Sequence, residues 1–190
     1  LVALYLTYLI ANIEASLYLF AGIFTYGIVY TVWLKRKTWM NIVIGGLAGS
    51  FAVLVGSAAT GDTFSPPALI LAVVLFLWTP PHFWALSISF KDDYQKASIP
   101  MLPVVSTITV TSHAIFWHTL LLVLLSFTLV FYSMHWVYLL FAISGGLYFL
   151  YASFQLLRQQ NNIWAKKTFF ASIIHLGLLL LGAMFDAMIF

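Results

Sequence analysis

Long apolar runs are the feature that most constrains how this sequence can fold. Six of them occupy residues 16–34, 41–60, 67–88, 111–132, 136–157 and 168–189, and residues 1–11 have the composition of the end of a seventh. A helix of about 20 apolar residues spans the roughly 30 Å hydrocarbon core of a bilayer. Because the runs lack the polar–apolar alternation of barrel strands, they predict transmembrane helices. We therefore expect an all-α, polytopic membrane bundle in which residues 1–190 form a single transmembrane domain.

The composition excludes several other classes of protein. Apolar residues make up 63% of the chain and charged residues only 7%, whereas a soluble domain carries about 25% charged residues. The eight lysines and arginines are scattered along the sequence, so they form no patch that could follow the phosphates of a nucleic acid. The absence of cysteine excludes disulfides, thiolate metal ligands and cysteine nucleophiles.

The positions of the basic residues predict the orientation in the membrane. All eight fall in three alternate connections, at residues 35–37, 91–96 and 158–167. The intervening connections carry Glu14 and Asp62 but no lysine or arginine. By the positive-inside rule, the three basic connections face the cytoplasm and the C-terminus lies outside.

Two features inside the predicted spans concern helix packing. Small residues recur at spacings of four in the second full span, at Gly45, Gly49 and the series Ala48, Ala52, Gly56, a pattern that allows close approach of helices in lipid. The third span contains Pro80-Pro81, which removes two backbone donors and predicts a break or kink in the inner leaflet.

The adjacent carboxylates Asp92 and Asp93 are the first candidate for chemistry. Each can offer oxygen to a hard cation such as Mg²⁺, which also takes water and phosphate oxygens, and the flanking Lys91 and Lys96 can meet the phosphate charge. The alternative is an ordinary solvated loop. The second basic group, residues 35–37, has two interpretations as well: a topology determinant that reaches lipid headgroups, or a site for an anionic diphosphate.

His82 directly follows the two prolines, inside the membrane. An ionisable side chain at that depth is costly and usually faces a cavity or a partner. It could ligate haem iron, transfer a proton, or form a hydrogen bond with a carbonyl that the prolines leave free. We interpret the other histidines as structural; they are His113, His118, His135 and His175.

Several sequence blocks together resemble a known family. They are Tyr30–Thr38 with Asn41–Gly49, Leu77–Leu86, Lys91–Tyr94 running into Ile99–Val105, and Ile163–Lys167. The blocks resemble the protohaem IX farnesyltransferases (haem O synthases), which belong to the UbiA-type intramembrane prenyltransferases. The resemblance implies nine transmembrane helices around a central cavity that opens to the cytoplasm, with farnesyl diphosphate and haem b as substrates.

Two departures from the family pattern accompany the resemblance. Phe51-Ala52-Val53 stands where many members have a proline pair. The first aspartate-rich motif of the family, of the Asn-x-x-x-Asp-x-x-x-Asp kind, does not occur in the sequence. The resemblance therefore implies that about two and a half helices precede residue 1.

The resemblance also implies roles for individual residues. It places Asp92 and Asp93 at the second acidic motif, and Lys35 and Arg36 in a cytoplasmic loop of the family pattern. We expect Asp92, Asp93 and Lys96 to be catalytic, with both aspartates holding Mg²⁺ through the diphosphate. We also expect Lys35, Arg36, Lys91 and Tyr94 to bind substrate, and His82 to contact the haem.

The activity so implied is the transfer of a farnesyl group to a vinyl group of haem b, which forms haem O for terminal oxidase assembly. The implied setting is the plasma (inner) membrane of a prokaryote, with a haem A synthase or an oxidase-assembly protein as partner and with no nucleic acid. One alternative is a UbiA-type enzyme with another aromatic or quinone-precursor acceptor. A different class of protein, a transporter or haem-handling scaffold, would not require the acidic motif at Asp92 and Asp93.

Overall fold

The computed structural model describes residues 1–132 and 134–190, and these residues contain helices and no strand. The α-helices are α1 (Val2–Ile10), α2 (Ile13–Phe24), α3 (Asn41–Gly45), α4 (Leu47–Ala59), α5 (Pro66–Ser89), α6 (Lys91–Lys96), α7 (Leu102–Val105), α8 (Ile108–Phe127), α9 (Trp136–Gln159) and α10 (Asn162–Ile189). A π-helix, Thr25–Leu34, continues α2, and a 3₁₀ turn, Thr128–Phe131, continues α8. Six of the resulting helical stretches are long and apolar enough to cross a membrane. The predicted all-α polytopic fold is therefore confirmed, with α1 in the place of the partial seventh span.

The boundary between the last two spans differs from the prediction. Helix α9 ends as Gln160 adopts a left-handed conformation, with φ of 47°, and α10 begins at once because the Asn161 side chain accepts a hydrogen bond from the Trp164 N–H at 3.0 Å. The predicted connection 158–167 is thus wrong. A prediction from hydropathy alone ends a transmembrane span at a lysine. In the structure the helix includes Lys167, because its long side chain lies over the Trp164 ring, with Nζ 4.2 Å from the ring centroid.

The π-helix widens the end of the first full span. Its bonds run from each N–H to the carbonyl five residues earlier, as from Lys35 to Tyr30 at 2.8 Å. The Tyr26 and Tyr30 rings, four residues apart in this helix, stack with centroids 5.6 Å apart. A Cβ on Gly45 would lie 2.8 Å from an atom of the Tyr30 ring. The small-residue stripe therefore admits a tyrosine ring at this end.

Helix α5 is not broken at Pro80-Pro81, because it is α-helical without interruption there; the predicted kink stays a prediction. Both prolines are buried, and α5 packs against α4, α8 and α10, so tertiary contacts maintain a helix that has lost two internal hydrogen bonds. The carbonyl oxygen of Phe76, which a proline at position 80 cannot bond, faces Gly46: a Cβ there would lie 3.4 Å away. The absence of a side chain at Gly46 thus makes room for the freed carbonyl.

The bundle core lies between α5, α8, α9 and α10, where the largest buried side chains include Trp84, Ile115, Leu122 and Phe149. A buried carboxylate joins the last two helices at the end opposite to the basic connections. Asp186 accepts hydrogen bonds from the backbone N–H groups of His135 (2.8 Å) and Tyr138 (3.1 Å), and it lies 3.1 Å from the His135 ring. It therefore serves α9 as an N-terminal cap from another helix.

Candidate functional site

The connections that carry basic residues lie together at one end of the bundle. Arg36 and Lys37 line a cavity of about 270 Å³ together with Gln95 and Ser98, so the connection after the π-helix meets the one after α5. The third basic connection is joined to the start of α8, where Thr109 donates a hydrogen bond to the Gln160 side chain at 2.9 Å. The predicted alternation of basic connections thus produces one positively charged end.

Helix α6 presents the two aspartates at this end. Asp92 and Asp93 are exposed in its first turn. Together with Lys91, Lys96 and Asn162 they line an open cavity of about 470 Å³, and neither forms an ion pair with a residue that the structure describes. Two free carboxylates and two ammonium groups therefore border the same space.

Tyr94 anchors α6 to the bundle. Its ring packs against the buried cluster that includes Trp84 and Met101, and its carbonyl accepts a hydrogen bond from the Ile99 N–H at 3.0 Å. Burial raises the pKa of the Tyr94 phenol, so the group stays neutral and able to donate a hydrogen bond. One face of α6 is therefore fixed, while the aspartates remain free.

The donor set can be compared with what Mg²⁺ requires. Within residues 1–132 and 134–190, no three His, Cys, Asp or Glu side chains form a cluster that could hold a metal. Asp92 and Asp93 supply two carboxylates, and Mg²⁺ is commonly bound through one or two carboxylates while waters and substrate phosphates complete its octahedron. The residues present thus fit an ion that is shared with a diphosphate, and they do not fit one enclosed by protein alone.

Lys35 lies between the charged end and the membrane interior. Its Nζ is 5.9 Å from the centroid of the Tyr30 ring, and its carbonyl accepts a hydrogen bond from the buried Asn41 side chain at 3.0 Å. Tyr30 in turn lines an apolar cavity of about 280 Å³ between the π-helix, α3, α4 and α5. The walls of this apolar cavity are Tyr26, Tyr30, Ile42, Gly45, Gly46, Ala48, Gly49, Thr79 and Phe83. An isoprenoid chain is the kind of group that such walls suit.

His82 lies deeper, and the structure does not bring it to the aspartates. It precedes the end of α5 by seven residues, which is about 10 Å of helix. Its Nδ1 is 2.7 Å from the Ser172 hydroxyl on α10, and its ring lies between Trp78 and Phe169, at centroid distances of 4.2 and 4.6 Å. Of the three roles considered for His82, the hydrogen bond to a carbonyl freed by the prolines is therefore wrong, because the partner is a side chain of another helix.

Sequence reasoning missed four polar residues beside these groups: Gln95, Ser98, Asn162 and Ser172. The first three border the charged cavities and carry no signal beyond their polarity. Ser172 could have been found, since Thr168, Ser172 and His175 fall at spacings of four and three and are the polar side chains of residues 168–185. Such spacing places polar groups on one buried helix face.

The remaining histidines lie outside both groups. His118 bonds to the carbonyl of Ala114 in its own helix at 2.8 Å, and His135 pairs with Asp186. His175 is fully buried, and neither of its ring nitrogens has a partner among the described residues. His113 takes part in no hydrogen bond that the structure describes. The structural interpretation of these residues stays a prediction.

Comparison with known proteins places this arrangement in a family. The model of the UbiA prenyltransferase family matches residues 1–174. Protoheme IX farnesyltransferase 2 of Paramagnetospirillum magneticum is 54% identical over 94% of this chain and 62% of its own length. The protoheme IX farnesyltransferases of Gloeobacter violaceus and Trichormus variabilis are 44% and 42% identical, over 92% and 94% of this chain and 57% of their own lengths.

The chain thus spans about three-fifths of the length of these curated relatives. No solved structure matches it. On the match over residues 1–174 and the identity to these relatives, the chain, an integral multi-pass membrane protein, belongs to the UbiA prenyltransferase family.

Proposed function

We propose that this protein transfers a farnesyl group from farnesyl diphosphate to a vinyl group of haem b, forming haem O. One observation carries the proposal: the free Asp92–Asp93 pair and the Arg36 connection lie at the same end of an apolar bundle. A diphosphate needs such charged groups, and a farnesyl chain needs an apolar interior next to them. The names of the relatives supply the acceptor, since each is a protoheme IX farnesyltransferase.

The charged end binds the diphosphate in this proposal. Asp92 and Asp93 would hold Mg²⁺, which, when bound, neutralises charge on the departing diphosphate. Lys91, Lys96 and Arg36 add positive charge from the protein, and groups that stabilise developing charge supply much of an enzyme's rate enhancement. Lys35, above the Tyr30 ring, lies where the charged end meets the apolar cavity.

The reaction balances without an oxidant or reductant. The bond between C1 of the farnesyl chain and the diphosphate oxygen breaks, and the electron pair leaves with the diphosphate. The terminal carbon of the haem vinyl group forms a bond to C1, which leaves a cation on the carbon next to the porphyrin. Water adds to that carbon and loses a proton, so a hydroxyethylfarnesyl side chain, diphosphate and one proton result.

The membrane interior accommodates both apolar partners. The tyrosine-lined cavity beside Gly45 would take the isoprenoid, and aromatic faces stabilise a nearby allylic cation. His82 would bind the porphyrin through its iron, because neutral imidazole is a common axial haem ligand. Its separation from Asp92 along α5 and α6 fits an acceptor that lies deeper than the diphosphate.

The cellular setting belongs to the same proposal. The basic end faces the cytoplasm of a prokaryote, where soluble farnesyl diphosphate can reach it, and the bundle lies in the plasma membrane. A haem A synthase or an oxidase-assembly protein then receives haem O.

The acceptor distinguishes this proposal from a prenyltransferase acting on a quinone precursor. We expect membranes that contain the protein to release diphosphate from farnesyl diphosphate when Mg²⁺ and haem b are added. We expect no release above the background of protein-free membranes with an aromatic acid such as 4-hydroxybenzoate. Release that depends on the aromatic acid and not on haem would replace the proposed acceptor with a quinone precursor.

A further inference from the structure

The hydrogen bonds of Ser172 determine which nitrogen of His82 carries hydrogen. The Ser172 hydroxyl lies 2.6 Å from the Phe169 carbonyl oxygen in its own helix and 2.7 Å from Nδ1 of His82. A carbonyl oxygen only accepts, so the single hydroxyl hydrogen lies between Ser172 and Phe169. The serine oxygen is therefore the acceptor in the second contact, and Nδ1 of His82 must donate.

This leaves the other ring nitrogen with its lone pair. A neutral imidazole has one N–H, so the Nε2 atom of His82 is unprotonated when Nδ1 donates. No residue that the structure describes forms a hydrogen bond with Nε2. The fully buried side-chain atoms that have no hydrogen-bond partner do not include it. Nε2 therefore keeps a small exposed surface, although the His82 side chain as a whole is buried.

The orientation of the ring is fixed as well. Trp78 and Phe169 stack on its two faces, and the Phe83 ring meets it edge-on at 4.9 Å. The Trp78 indole N–H donates to the carbonyl oxygen of Ser172 at 2.9 Å. Helix α5 thus binds the same serine twice, at its backbone through Trp78 and at its hydroxyl through His82.

We infer that Ser172 is a positioning residue that holds His82 as the Nδ1–H tautomer, so that Nε2 is the nitrogen offered to the iron of a porphyrin. In metal sites, the hydrogen bond at the second ring nitrogen sets the tautomer and orientation of a histidine ligand in this way. The tautomer follows from the hydrogen bonds alone, and only the identity of the ligand rests on the proposed function.

The test compares two serines. Ser153 is a matched control, because it is equally buried and donates to a carbonyl three residues earlier in its own helix, at 3.0 Å, with no histidine partner. We expect nitrogen NMR of the histidine-labelled protein to show hydrogen on Nδ1 of His82, the signal being assigned by its loss in His82→Gln. Ser172→Ala should produce a mixture of tautomers, Ser172→Thr should restore the Nδ1–H form, and Ser153→Ala should change nothing.

Titration with haem b gives a second readout. Ser172→Ala should weaken binding about three- to tenfold, as expected for loss of one orienting hydrogen bond, with Ser172→Thr and Ser153→Ala near wild type. Hydrogen on Nε2 in the wild type, or a Ser172→Ala spectrum identical to wild type, would overturn the inference. Haem binding that His82→Gln leaves unchanged would instead contradict the proposed porphyrin contact, whereas the tautomer result would still decide the role of Ser172.

Discussion

Asp92→Asn and Asp93→Asn should each lower the rate of farnesyl transfer at least about 100-fold, the loss typical when a key electrostatic group is removed from an active site. An asparagine keeps the size of the side chain but loses the negative charge that a divalent cation requires. Both residues are exposed in α6 and form no ion pair within the described parts of the chain, so the bundle should stay folded. Product formation in membranes, with the amount of folded protein measured in parallel, checks this.

Asp62→Asn is the matched control. Asp62 is also exposed, but it lies in a connection at the opposite end of the bundle, so the rate should stay within about twofold of wild type. Added Mg²⁺ should not restore the asparagine variants, since the ligand itself is missing. If turnover were unchanged in both variants, α6 would be an ordinary solvated segment without a role in the reaction.

The orientation predicts an all-or-none labelling pattern. The chain contains no cysteine, so each introduced cysteine reports alone. Cysteines that replace Lys37, Gln95 or Asn162 should react with a membrane-impermeant maleimide only from the cytoplasmic side. Cysteines that replace Asp62 or His135 should react only from the outside.

The choice of these positions depends on the structure. All five side chains are exposed, whereas the neighbouring Thr63 is buried and donates a hydrogen bond to Glu14 at 2.5 Å, so a cysteine there would be poorly accessible. Labelling after permeabilisation controls for reactivity at every position. If the cysteine at residue 95 reacted from outside intact cells, the charged end would face outward and the predicted orientation would be wrong.

The spans could be predicted from the sequence because bilayer thickness dictates their length. The ends of the spans could not be predicted, because a hydropathy profile does not detect helix-capping side chains. Asn161, for example, caps α10 within the predicted connection. At Pro80-Pro81 the helix is not broken, and the predicted kink stays a prediction. Two lost hydrogen bonds imply a break in an isolated helix, but packing against three neighbouring helices and the space at Gly46 preserve α5.

Only those residues of the candidate site whose charged or ionisable side chains stand out in an apolar sequence could be predicted. In a chain with five acids, the pair Asp92-Asp93 stands out, and so does an intramembrane His82. The partners of these residues depend on contacts between distant segments, as Ser172 does across 90 positions. The tyrosines of the apolar cavity lie on the π-helix, and nothing in the local residue pattern specifies that change from α-helical bonding.

The mass of the product tests the central claim most directly. Membranes that contain the protein should convert haem b, farnesyl diphosphate and Mg²⁺ into a porphyrin heavier by one farnesyl group and one hydroxyl group. In ¹⁸O-labelled water, that hydroxyl should carry the heavy isotope, because water captures the cation beside the ring. Unmodified haem b, together with a farnesylated quinone precursor or no prenylated product at all, would contradict transfer to the haem vinyl group.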